Sequence, residues 1–278
     1  MSIWLAVLLG LVQGLTEFLP VSSSGHLVLA QTLFGSNVEA DYMLFNVLLH
    51  FGTLLSVVVA FREDIIDLFY AFLGWIRDKF RFNGYPYRRF VLMIIITVFP
   101  MFLVLPVKST LEEAFSSPLL VGLMLLVTSI ILFLSEKAPR KRKTEEDASF
   151  LDALLVGAAQ CFAVLPGLSR SGTTICAGLF CGFSRDFAVR FAFIMSLPVV
   201  LGANILEVVD AVKAPAESLG DVSVACYLVG ITVALVSGLA AIRLVRMISK
   251  RGNFRPFVVY CALIGTITIV ANLIKMVP

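Results

Sequence analysis

Six apolar runs, each near the length of a membrane crossing, decide what this 278-residue chain can become. They fall at 42–61, 90–107, 119–134, 187–206, 224–242 and 256–277. A helix needs about 20 such residues to cross a hydrocarbon core roughly 30 Å thick. Four more apolar segments, at 3–19, 22–34, 151–165 and 171–183, are too short. At 1.5 Å per residue they reach only about 20–25 Å. The chain is 59% hydrophobic and 15% charged, with a mean hydropathy of +0.96, far from the composition of a soluble domain. The expectation is an all-α polytopic membrane protein, a single integral membrane domain over 1–278.

The four short segments form two pairs, and each pair is joined by nearly the same text. The first reads Gly10-Leu-Val-Gln13-Gly-Leu-Thr-Glu17-Phe-Leu-Pro20-Val-Ser22-Ser23-Ser24-Gly25-His26. The second reads Gly157-Ala-Ala-Gln160-Cys-Phe-Ala-Val-Leu-Pro166-Gly167-Leu-Ser169-Arg170-Ser171-Gly172-Thr173-Thr174. At an offset of 147, Gly10/Gly157, Gln13/Gln160, Ser22/Ser169, Ser24/Ser171, Gly25/Gly172 and Gly35/Gly182 coincide, while the prolines miss by one. Breaks of this kind are tolerated at membrane depth only against protein or a wet cavity. We therefore read two re-entrant hairpins, four half-helices in all, within repeats 1–135 and 148–278. Duplicated broken segments point to a binding site at the repeat interface.

Topology follows from the cations. Arg62, Arg77, Lys79, Arg81, Arg88 and Arg89 form one group; Lys137, Arg140, Lys141, Arg142 and Lys143 form another. Arg185 and Arg190 follow the second hairpin, and Arg243, Arg246, Lys250, Arg251 and Arg255 close the count. Six alternating crossings put these eighteen of the 22 Lys and Arg residues on one side, the cytoplasm. Lys108, Lys213 and Lys275 fall opposite. Both termini are then outside. Three crossings separate the hairpins, so the second repeat is inverted and the tips meet near the midplane. The N-terminus lacks a basic region and an A-x-A-like site, so no cleavable signal is expected. Cys161, Cys176, Cys181, Cys226 and Cys261 lack metal-ligand spacing and read as small hydrophobes at helix interfaces. A net charge of +3 gives no reason to expect nucleic acid.

Ionisable groups at membrane depth are expensive and usually functional. Glu17, His26, His50 and Arg170 lie within the apolar segments or their breaks, whereas Asp152, Arg190 and Lys275 sit at segment ends. His50, alone in Leu-Leu-His-Phe-Gly, reads as a satisfied core histidine. Ser22 or Ser23 and Ser169 are good helix caps, and a helix start favours an anion. Ser22, Ser24, Gly25, Ser169, Ser171, Gly172 and Thr174 are the candidate phosphate cradle, with Arg170 as a planar fork. Glu17, with Gln13 one turn earlier, suits Mg²⁺ or Ca²⁺ shared with substrate oxygens. His26 is a proton carrier, and Ser23 a nucleophile it could activate. These are the parts of a phosphoryl-transfer site.

At these residues the chain closely resembles the bacitracin-resistance type of undecaprenyl-diphosphate phosphatase. The family's first motif, (Glu/Gln)-x-x-x-Glu followed by Pro-x-Ser-Ser-Ser/Thr-Gly-His, matches Gln13 through His26. Its second, Pro-Gly-x-Ser-Arg-Ser-Gly-x-Thr, matches Pro166 through Thr174. Many members carry a second glutamate where this chain has Gln13. The resemblance implies hydrolysis of undecaprenyl diphosphate to the monophosphate, recycling the lipid carrier for peptidoglycan and conferring bacitracin resistance. It also implies a divalent cation, an inverted-repeat fold, a homodimer and a bacterial cytoplasmic membrane location with the active site open to the outer face. Glu17, Ser23, His26 and Arg170 are the implied catalytic set; either Ser23 or His26 can be the group that attacks phosphorus, and the reading favoured here is Ser23 as nucleophile with His26 as base. Type-2 phosphatidic acid phosphatases share the Ser-Gly-His text but expect histidine where this chain has Cys176. The alternative is a secondary transporter or polyprenyl-phosphate flippase, since inverted repeats with half-helices are a common transporter plan.

Overall fold

The computed structural model describes residues 1–34, 43–81, 86–104, 106, 117–138, 143–213 and 222–276. Within them the elements are helices, apart from one isolated bridge pairing Lys143 with Phe183. The first hairpin is α1 (Ile3–Phe18) and α2 (Ser23–Phe34). Next come α3 (Met43–Ala60), α4 (Arg62–Arg77), α5 (Pro86–Val98) with a 3₁₀ turn at Phe99–Leu103, and α6 (Pro118–Glu136). The second hairpin is α7 (Phe150–Phe162) and α8 (Arg170–Phe180). Then α9 (Arg185–Lys213), α10 (Val224–Arg251) and α11 (Arg255–Met276) complete the fold.

All four expected short segments are short helices. Ser2 caps α1 by accepting from the Leu5 N–H, and Ser149 caps α7 by accepting from the Asp152 N–H. These positions are themselves 147 apart. Asp152 returns the bond to the Ser149 N–H, completing a capping box.

Among the described residues four helices are long and apolar enough to cross a membrane: α6, Arg185–Leu206 of α9, α10, and Arg255–Ile274 of α11. Helices α3 and α4 together pass as a fifth, broken span; one expected loop and one expected run differ. Helix α3 is followed at once by α4, bent 83° away, so the expected loop at 62–89 contains a four-turn helix. Its charged first turn (Arg62, Glu63, Asp64) cannot extend an apolar span, and exposed Ile66, Phe69, Tyr70 and Leu73 line one side of it. The expected run at 90–107 stops being α-helical at Val98 because Pro100 lacks an N–H and its ring opposes the preceding turn. Lys108, Arg140, Lys141, Arg142 and Gly35 lie outside the described residues.

Small residues let the helices approach closely, as they do in lipid. Helix α1 lies on α10: a methyl on Gly10 would be 2.8 Å from the Gly230 carbonyl, and one on Gly14 only 2.0 Å from Ser237 Oγ. Helices α6 and α11 cross at Gly122 and Gly265, each facing the other's carbonyl oxygen. Seven residues further along α6, Ser129 donates to the carbonyl of Val258, seven residues earlier on α11. That register runs in opposite directions, so the pair is antiparallel. Beneath the second hairpin, Phe90, Phe183, Phe187 and Phe191 form a ring-on-ring core.

One end of the bundle collects the charges. Arg190 pairs with Asp64 of α4 at 3.3 Å and Glu145 of the inter-repeat seam at 2.6 Å. Arg246 and Lys250 reach Asp186, and Arg255 reaches Glu136. Arg89 donates twice to the Ala148 carbonyl. These links draw members of three of the four basic groups to a common end.

Candidate active site

The site forms where the hairpin breaks touch. Helix α1 stops before Pro20, and Val21 and Ser22 turn the chain into α2 with Ser22 in the left-handed region at φ 71°. A non-glycine there is strained. It is held by its own bonds: Ser22 Oγ accepts from the Gly25 N–H at 3.2 Å, and its carbonyl accepts from the His26 N–H at 3.2 Å. The second break uses Gly167 at φ 91° and closes with Ser169, whose Oγ accepts from the Gly172 N–H at 3.1 Å. Matching serine pairs, Ser22 with Ser24 and Ser169 with Ser171, lie within 3.3 and 3.2 Å.

Glycines bring the two breaks together. A methyl on Gly25 would lie 3.1 Å from the Cα of Gly167, and one on Gly172 would lie 3.1 Å from Pro20 Cβ. The Ser171 hydroxyl donates to the Leu19 carbonyl across the gap, at 3.2 Å. Thr128 of α6 braces the second break, donating to the Gly167 carbonyl while its oxygen accepts from the Ser169 N–H.

At this junction stands Glu17. Its Oε2 accepts from the Ser23 hydroxyl at 2.7 Å and from the Gln13 amide at 3.1 Å. Its Oε1 faces Arg170 Nη1 at 3.4 Å, a long and readily exchanged contact across 153 residues of sequence. Glu17, Ser23, Gln13 and Arg170 are thus brought to one point. The Glu17 side chain is only 9% exposed and that of Arg170 35%, so the carboxylate is sheltered while the guanidinium faces an opening.

The expected pairing of Ser23 with His26 is not the one formed. The hydroxyl turns toward Glu17, while His26 is held elsewhere: Nδ1 lies 2.7 Å from the Ser22 carbonyl and Nε2 2.7 Å from the Tyr260 hydroxyl. One helical turn explains this, since Ser22 and His26 are four apart and share a face. The serine hydroxyls have local duties too. Ser22 and Ser169 cap their helices, Ser171 bridges the hairpins, and Thr174 donates back to the Arg170 carbonyl. The N–H groups of Ser23, Ser24, Arg170 and Ser171, by their place at helix starts, are the ones without an intrahelical acceptor.

Sequence reasoning missed one neighbour. Tyr260, on α11, lies 234 residues from the histidine it touches and belongs to no local motif. His50, read as a core residue, does bond locally to the Asn46 carbonyl at 2.9 Å.

A divalent cation fits this donor set in one way. Among the described residues no three His, Cys, Asp or Glu side chains cluster, so these side chains alone build no cage. Gln13 Oε1 is buried and without a hydrogen-bond partner, beside a carboxylate whose Oε1 is loosely held. Two hard oxygens of this kind, completed by phosphate oxygens and water, suit Mg²⁺ or Ca²⁺.

Similarity to known proteins covers nearly the whole chain. Residues 6–267 match the family model described as bacitracin resistance protein BacA. An undecaprenyl-diphosphatase from Halothermothrix orenii is 38% identical over 97% of this chain and 98% of its own length. Those from Methanobrevibacter smithii and Syntrophotalea carbinolica are 40% and 41% identical, over 98% and 95% of this chain and 99% and 97% of their own lengths. With two hairpin breaks meeting at an acid, a serine and an arginine, and likeness running from end to end, this chain belongs to the bacitracin resistance protein BacA family.

Proposed function

We infer that this chain is an integral membrane undecaprenyl-diphosphatase. It hydrolyses undecaprenyl diphosphate to the monophosphate and phosphate, recycles the lipid carrier for peptidoglycan synthesis and thereby confers bacitracin resistance. The family membership carries the substrate. The observation that carries the chemistry is the 2.7 Å bond from Ser23 to Glu17 beside Arg170.

The geometry suits a two-step displacement. Ser23 Oγ attacks the terminal phosphorus while its proton passes to Glu17 Oε2; the bridging P–O bond breaks and undecaprenyl phosphate departs. Water then attacks the phosphoserine and gives its proton to His26 Nε2, while Glu17 returns its proton to the departing Ser23 oxygen. Arg170 exchanges its long contact with Glu17 for a bidentate hold on phosphate oxygens. The open N–H groups at the starts of α2 and α8 add fixed dipoles where negative charge grows. Gln13 and Glu17 would hold a divalent cation, which would supply charge neutralisation for the diphosphate.

The halves are related by inversion, with six crossings, four re-entrant half-helices and both termini outside. Support comes from contacts that exchange under the 147-residue offset: Gly25 meets position 167 as Gly172 meets position 20. The antiparallel α6–α11 crossing agrees, because a two-fold axis that relates antiparallel helices lies in the membrane plane. Positive charge at the common end then orients that end to the cytoplasm, leaving the site open to the outer face. We further propose a homodimer, on the family resemblance alone.

The test is phosphate release from C55 diphosphate by purified protein in detergent, with and without chelator. Release that stops on chelation and returns with Mg²⁺ or Ca²⁺ is expected. Binding without release, with activity appearing only across a vesicle membrane, would replace this reading with a carrier.

A further inference from the structure

His26 is held at both ring nitrogens. The Ser22 carbonyl, 2.7 Å from Nδ1, has no proton to give, so Nδ1 carries the hydrogen. In the neutral ring Nε2 is then bare, and the Tyr260 hydroxyl at 2.7 Å donates to it. The two rings also stack, with centroids 5.6 Å apart and planes 8° from parallel. One contact sets the tautomer; the other sets the plane and the aim of Nε2. Tyr260 is itself anchored. Its neighbour Cys261 is fully buried against the Pro20 carbonyl of the first hairpin break, and Ser129 of α6 holds the Val258 carbonyl one turn before.

We propose that Tyr260 is a positioning residue for His26, fixing the imidazole so that Nε2 stands unprotonated for the water that breaks down the phosphoenzyme. Its hydroxyl reserves that nitrogen in the resting enzyme and yields it to the attacking water; at 39% exposure the tyrosine ring has room to do so. The proton balance is the one given above: one water proton goes to Nε2, and Glu17 reprotonates Ser23. The imidazolium then releases its proton to bulk water with the departing phosphate, and Tyr260 gains and loses nothing. This rests on the phosphatase reading, and it adds a residue from the last helix to a site otherwise built from the two hairpins.

The chain holds two histidines, so ¹⁵N-imidazole-labelled protein gives two sets of ring signals, and His26→Asn tells them apart. Wild type is expected to show His26 with a protonated Nδ1 and a hydrogen-bonded, unprotonated Nε2. The opposite tautomer would overturn the proposal with no variant needed. In Tyr260→Phe, which keeps the ring and removes the hydroxyl, the Nε2 signal moves to that of a free acceptor while Nδ1 stays. With it, kcat for C55 diphosphate falls about tenfold, less than the roughly 10²–10⁴ a general base itself contributes because Tyr260 only positions one, and KM is unchanged. An unmoved Nε2 signal, or an unmoved kcat, rejects the role. Absence of phosphate release by wild type would instead sink the phosphatase reading, which the ring signals do not test.

Discussion

Glu17 is asked to accept a proton from Ser23, whose hydroxyl already points at its Oε2 from 2.7 Å. Two donors converge on one oxygen while the other is left with a 3.4 Å contact. Glu17→Gln keeps the shape and removes the charge. Phosphate release is expected to fall by about 10²–10⁴, the usual contribution of a positioned base, while the protein still inserts and elutes at its native size. Arg170→Lys keeps the charge and removes the fork. Because bidentate geometry is what arginine adds over lysine, a loss of about 10²–10³ is expected, as for an oxyanion donor, measured as kcat/KM. Near-normal turnover in either variant would displace these roles. Both residues were legible in the sequence because a charge in an apolar run is conspicuous. Tyr260 was not, because nothing local marks a tyrosine in a lipid-facing helix as a histidine's partner. The choice between Glu17 and His26 as partner of Ser23 was equally hidden, because it depends on which rotamer a one-residue turn at Ser22 allows.

At the scale of elements, the breaks and the glycines that let them touch were readable, and their consequences can be measured. A methyl on Gly25 meets backbone at Gly167 as well as Ser22 Oγ and Val121, none of which can turn aside cheaply. Gly25→Ala is expected to push the hairpins apart and abolish most turnover with only modest loss of thermal stability. Gly14→Ala acts elsewhere, against Ser237 and the Ala234 carbonyl in the α1–α10 seam. Overpacking of that kind costs about 1–3 kcal/mol, so a lowered melting temperature in detergent is the expected readout. The α4 helix and the early stop at Val98 were not readable from apolar length. In both places a count of hydrophobic residues passes over a local feature, the charged turn at 62–64 and the ring of Pro100, which only backbone geometry resolves.

At the scale of the molecule, the duplication matters because the two copies are not equivalent. Positions matching Glu17 and His26 are Val164 and Thr173 in the second hairpin, while Arg170 has Ser23 as its counterpart. In the proposed mechanism the first copy therefore brings the acid, imidazole and nucleophile and the second brings the cation, so that neither is a site alone. An inverted arrangement is what lets two such tips face each other, and it makes a demand that can be checked. Ile3, at the start of α1, and Glu146, just before α7, are both exposed, and inversion puts them on opposite sides of the membrane. In a background with the native cysteines replaced, Ile3→Cys is expected to react with an impermeant maleimide added outside intact spheroplasts. Glu146→Cys is expected to react only after lysis. Labelling of both from the same side would mean that the repeats run parallel, and two parallel hairpins entering from one face could not meet tip to tip at Gly25 and Gly172.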